Sequence, residues 1–105
     1  MTDGEFEPRT PEQERLALEF EALRVLADDA KAKALAAHER LEAMPPLPAG
    51  VSPETAVAHD DLLLRLLGES AAARTAWLEA EQAHQEAGAR LLEALRGRLD
   101  DGEAG

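Results

Sequence analysis

Four residues hold the sharpest chemical pattern in the chain: Glu81, Gln82, Ala83 and His84. On a helix, residues three apart share a face, so Glu81 and His84 present a carboxylate and an imidazole to the same side. Metal centres in helical bundles are built from such pairs, completed by a glutamate on a facing helix. His38, Glu39 and Glu42 make a second cluster, with His38 and Glu42 four apart, and His59, Asp60 and Asp61 make a third. Each of these has only imidazole and carboxylate ligands on one helix, near a proline-rich turn and leaning outward. Zinc normally takes three or four converging ligands, so we read both as solvated helix surface.

Other chemistries lack material. There is no Cys, which removes disulfides, thiol nucleophiles and thiolate metal sites. No Gly-x-Ser-x-Gly, P-loop or Gly-x-Gly-x-x-Gly occurs, and Ser52 and Ser70 stand where helix caps are expected. We therefore expect no catalytic residues, no enzyme activity and no cofactor. Eleven Lys and Arg against 22 Asp and Glu give a net charge of −11, which disfavours nucleic acid and anionic membrane as partners. The first residues are acidic and polar, unlike a secretory signal, and no apolar run approaches a membrane span. A cytoplasmic location is the expectation, and the Arg-over-Lys, Ala-rich usage suggests a bacterial source.

The elements that must position these residues are helical. Among 105 residues, Ala (22) and Leu (17) supply most of the apolar side chains, with no Ile or Tyr and three Val. A sheet core needs β-branched and aromatic residues, so the chain reads as one all-α domain. Thr10, Pro11 and Gln13 form a capping-box start, and no Gly or Pro follows until Pro45, which predicts a first helix over about 11–44. Prolines 45, 46, 48 and 53 enforce a turn over 45–52. Ser52-Pro53-Glu54 opens a second helix, read as ending near Gly97. Residues 1–9 and 98–105 read as flexible tails. At Gly68 the second helix either runs on, straight or kinked, or breaks. A break would give a compact three-helix bundle, and continuity gives a two-helix hairpin, which we prefer.

Two heptad rows describe how the hairpin closes. Leu16, Phe20, Leu23, Ala27, Ala30, Ala34, Ala37, Leu41 and Met44 alternate spacings of four and three. Leu63, Leu66, Ser70, Ala73, Trp77, Ala80, His84, Ala87, Leu91 and Ala94 do the same in the second helix. Such rows specify left-handed packing of one helix on another. Setting Met44 opposite Pro53 puts Trp77 beside Phe20 and Ala80 beside Ala17. It also leaves Leu91, Leu92, Leu95 and Leu99 facing the N-terminal tail, where Phe6 is the one bulky apolar group. Leu62, Leu63, Leu64 and Leu67 spread around several sides of the second helix. A hairpin this small has too little core to stand alone, so these surplus leucines predict a homodimer forming a four-helix bundle. Pro46, Leu47 and Pro48 form a polyproline-like tip that stiffens the turn and is shaped to dock in an aromatic groove, with Leu47 and Val51 as exposed anchors.

In that pairing Glu19 is the nearest carboxylate across from Glu81 and His84. The plan then resembles the encapsulated ferritins, whose short two-helix chains supply one glutamate and one Glu-x-x-His each. The resemblance implies an iron site of Glu19, Glu81 and His84 assembled across a dimer. The residues themselves favour a simpler expectation: a non-enzymatic interaction or scaffolding hairpin, with His84 as a polar residue in the core row.

Overall fold

A computed structural model describes the backbone of residues 9–104 and the side chains of residues 9–97. It is an antiparallel hairpin of two helices, α1 over Pro11–Glu42 and α2 over Pro53–Ala104, with no strand among the described residues. The rod measures 80 × 24 × 17 Å, as expected if a 52-residue helix sets its length at about 1.5 Å per residue. The all-α hairpin expected from composition is the fold.

Each helix starts as its sequence dictates. The Thr10 hydroxyl accepts from the Gln13 backbone N–H at 3.1 Å, and the Gln13 side chain accepts from the Thr10 N–H at 3.0 Å, completing the capping box. At the start of α2 the Ser52 hydroxyl accepts from the Thr55 N–H at 3.2 Å. α1 stops at Glu42, two residues before the expected end. Ala43 to Ser52 make the turn, reversing at Ala49-Gly50, where Gly50 takes a φ of +78° that favours glycine.

α2 runs unbroken through Gly68, so the three-helix alternative is excluded. It also continues through Gly97 to Ala104, past the expected stop. A glycine inside a helix costs only about 1 kcal/mol relative to alanine, and no proline follows to forbid continuation. Residues 1–8 and Gly105, including Phe6, lie outside the described residues, and so does the side chain of Leu99.

Both heptad rows face inward. Every member of the α1 row from Leu16 to Met44, and of the α2 row from Leu63 to Ala94, is buried or half-buried, as are Ala56 and His59 at the start of α2. Among the described residues the buried apolar side chains are Leu16, Ala27, Ala34, Ala37 and Ala87. Alanines in the middle of both rows let the backbones approach closely, and they also make the core thin.

The register differs from the expected one. Arg90 donates to Glu19 at 2.6 Å, and Arg40 lies 3.9 Å from Glu69. Phe20 stacks on His84, not on Trp77, with ring centroids 4.6 Å apart. Trp77 sits instead at the level of Ala34, with the Lys31 ammonium 5.9 Å from its ring centroid. The cause is the turn. Pairing Met44 with Pro53 treats residues 45–52 as a compact cap. Alternating prolines hold the segment extended, rising about 3.1 Å per residue against about 1.5 Å in a helix. Pro45–Pro48 therefore runs on alongside the first turns of α2, where the Pro45 carbonyl lies 3.1 Å from His59 Nε2. The whole of α2 slides by about ten residues, three helical turns.

The slide also removes most of the expected overhang. Leu91 packs beside Ala17 and Phe20, and Leu91 and Leu95 are half-buried.

The two central glycines of α2 differ in their surroundings. A Cβ on Gly68 would meet nothing within 4 Å, whereas one on Gly88 would lie 2.9 Å from Phe20 Cε1. Gly68→Ala is expected to raise stability by about 1 kcal/mol through helix propensity alone. Gly88→Ala gains the same propensity but must displace a stacked ring, an overpacking cost of about 1–3 kcal/mol, so it should be neutral or destabilising. Urea denaturation of both variants checks the contrast; an equal gain at both positions would refute the Phe20–Gly88 contact.

Candidate functional site

The Glu81–His84 pair is the centre of the most polar part of the seam. Glu81 is half-buried and takes a hydrogen bond of 3.3 Å from Trp77 Nε1, one turn back on the same helix. Its other oxygen lies 3.7 Å from His84 Nδ1, beyond hydrogen-bond length. The His84 ring lies flat on Phe20, and its Nε2 is buried with no hydrogen-bond partner. Trp77, Glu81 and His84 thus form a ladder along α2, with Phe20 closing the end on α1.

Glu19 does not join them. It accepts from Arg90 at 2.6 Å and lies 4.0 Å from Arg15, on the opposite flank of the hairpin. The nearer carboxylate of α1 is Glu21, which points outward. The Arg24 guanidinium, donating at 2.8 Å, holds Glu21 below the usual carboxylate range, and Arg24 is itself raised. Stability from that pair is present at neutral pH and lost as acid protonates Glu21; on an exposed side chain it is small.

The remaining clusters stay apart. His38 and Glu42 form an exposed pair at 3.2 Å. His59 is not outward-leaning: it is half-buried beneath the proline segment, with Nδ1 buried, without a hydrogen bond and 3.7 Å from an Asp60 carboxylate oxygen, while Asp60 and Asp61 are exposed. Among the described residues no three His, Cys, Asp or Glu side chains are grouped to hold a metal. Pro46, Leu47 and Pro48 are exposed at the turn, whereas Val51 is half-buried and not an exposed anchor. A groove on the Glu19 flank, lined by Glu12, Arg15, Glu19, Arg90 and Glu93, mixes both charges and converges on no point.

Sequence reasoning missed Gln13 as a cross-helix tie. Its capping role is legible, but its Nε2 also donates to the Ala94 carbonyl of α2 at 3.4 Å, and the residue is 3% exposed. Gln13 sits one step before Leu16 in the α1 row, and that spacing was the available signal.

His84 is therefore best explained as a packed polar residue. His84→Leu would remove a buried, unpartnered nitrogen and keep a surface for Phe20. It is expected to retain the fold and raise stability by roughly 1 kcal/mol. Thermal unfolding, with iron and manganese analysis of untagged protein, checks it. A loss of several kcal/mol together with a bound metal would restore the ferritin-like reading. No helix among the described residues is long and apolar enough to cross a membrane. No family model, curated protein or solved structure matches the chain.

Proposed function

We propose that this protein is a non-enzymatic interaction or scaffolding element: a helical hairpin that self-associates, with a homodimeric four-helix bundle as its working unit. The observation that carries this reading is the set of large apolar side chains left outside the hairpin seam. On α2, Leu62, Leu64, Leu67, Leu78 and Leu92 are all exposed while the seam itself buries mainly alanine. Soluble monomers rarely leave so many large apolar side chains of one helix uncovered. A hairpin with this little core gains most of its remaining stability by covering them.

The ferritin-like metal reading has less support, because the register commits Glu19 to Arg90 on the far flank and commits His84 to Phe20. The net charge of −11 supports a protein partner over nucleic acid or an anionic membrane. Sedimentation equilibrium at micromolar concentration is expected to return a dimer or a larger species. A clean monomer would overturn the proposal.

A further inference from the structure

Three exposed leucines of α2, Leu64, Leu67 and Leu92, are ordered about a single point. Val57, Leu64, Ala71, Leu78, Gln85 and Leu92 recur every seven residues on one stripe, and Leu67, Arg74, Glu81, Gly88 and Leu95 run beside it. Together they make a second heptad seam, turned roughly a quarter of the helix circumference away from the first, as a square four-helix bundle requires. Leu64 is 67% exposed, Leu78 60%, Leu92 51% and Leu67 45%.

The register of the hairpin supplies the point. Arg90 meets Glu19 and Arg40 meets Glu69 across the same flank. Midway between these two ion pairs lie Asp29 and Ala30 on α1, level with Glu79 and Ala80 on α2. About that midpoint Leu64 is as far to one side as Leu95 is to the other. The same holds for Leu67 with Leu92, and for Ala71 with Gly88. On α1, the helix row on the same side of the hairpin places Asp28 and Lys31 at equal distances from the midpoint, and likewise Glu21 and His38. At these positions large matches large, small matches small and acid matches base, while Leu78 falls at the distance of Glu81 and Leu35 at that of Arg24.

We infer that a second copy of this chain packs on this side of the hairpin, antiparallel, about a two-fold axis crossing α1 at residues 29–30 and α2 at residues 79–80. A two-fold lying in the interface must cross both helices at one level, and the observed register meets that condition. The inference rests on the self-association proposed above and names the face and direction used. Leu64 then meets the partner's Leu95, and Leu67 meets the partner's Leu92, at both ends of the interface. Asp28 opposes the partner's Lys31. Arg74, which has no ion pair among the described residues, stands one helical turn from the partner's Glu81. A parallel two-fold on this face would stack each helix on the partner's other helix, setting Lys31 level with the partner's Leu78 and Arg74 level with the partner's Leu35. The exposed back of α1, with Leu18 and Val25, is interrupted by Asp29 and has no such symmetry.

The absence of cysteine permits single-site labels. Nitroxides on Arg65→Cys are expected roughly 45 Å apart in the dimer, and on Gln82→Cys within roughly 20 Å, from about 1.5 Å rise per residue. Short distances at both sites would mean a parallel pair and would overturn the inference. A dimer with any other combination would overturn the axis and leave self-association standing. A monomer in sedimentation would overturn both. The paired change Leu67→Glu with Leu92→Glu should raise the dimer dissociation constant roughly a hundredfold or more with helix content retained, since neither residue lies in the hairpin seam. Val25→Glu should leave the dimer intact; dissociation by Val25→Glu and not by the leucine changes would move the interface to α1 and refute the inference.

Discussion

Phe20→Ala is expected to destabilise the protein by about 3 kcal/mol, the low end of the range for truncating a core aromatic because Phe20 is only half-buried. Three contacts end together. The ring stacks on His84 at a centroid separation of 4.6 Å. It fills the space over Gly88, where no side chain stands, and it flanks Leu91. Removing it exposes the buried edge of His84 and opens a gap that a helix carrying glycine cannot refill. Few other aromatic residues exist to compensate: the chain has two Phe, one Trp and no Tyr. A loss of this size is a large share of the stability of so small a domain. Urea unfolding followed by circular dichroism gives the value. A change under about 1 kcal/mol would show that Phe20 is not the anchor of the seam.

Ala87→Leu is expected to cost about 1–3 kcal/mol by the opposite route, overpacking. Ala87 is 1% exposed and lies next to Gly88, where the helices approach closely enough for Phe20 to occupy the place of a side chain. A leucine there must push the helices apart, and that separation weakens the alanine contacts at Ala27, Ala34 and Ala37 together. Leucine has slightly poorer intrinsic helix propensity than alanine, too small a difference to account for the loss. The same substitution at the exposed Ala71, in the proposed partner-facing row, is the control and should leave hairpin stability nearly unchanged at concentrations where the protein is monomeric. If Ala87→Leu stabilised the protein, the close approach of α1 and α2 would be wrong.

The sequence by itself determined the elements and their inward faces. The capping box at Thr10 and Gln13, the cap at Ser52 and the four prolines of the turn fix where helices begin and where none can cross, because each acts through covalent geometry or a bond to a neighbour a few residues away. The heptad rows identify the buried faces for a similar reason: helical periodicity is a local property. Lengths were less legible. Gly97 reads as a stop, yet one glycine is too weak a penalty to end a helix.

Register was decided only in the tertiary structure. Two rows repeating every seven residues, rich in alanine, fit one another almost equally well at several offsets, so periodicity cannot choose among them. The choice falls to features with no periodic signature: the extended rise of Pro45–Pro48 against His59, the space over Gly88 that admits Phe20, the bond from Gln13 to Ala94, and the ion pairs Glu19–Arg90 and Arg40–Glu69. Glu81 and His84 share a face in any register, because the spacing within one helix guarantees it. What stands opposite them within the hairpin depends on the offset, and an offset of about ten residues places the ring of Phe20 there and Glu19 beside Arg90.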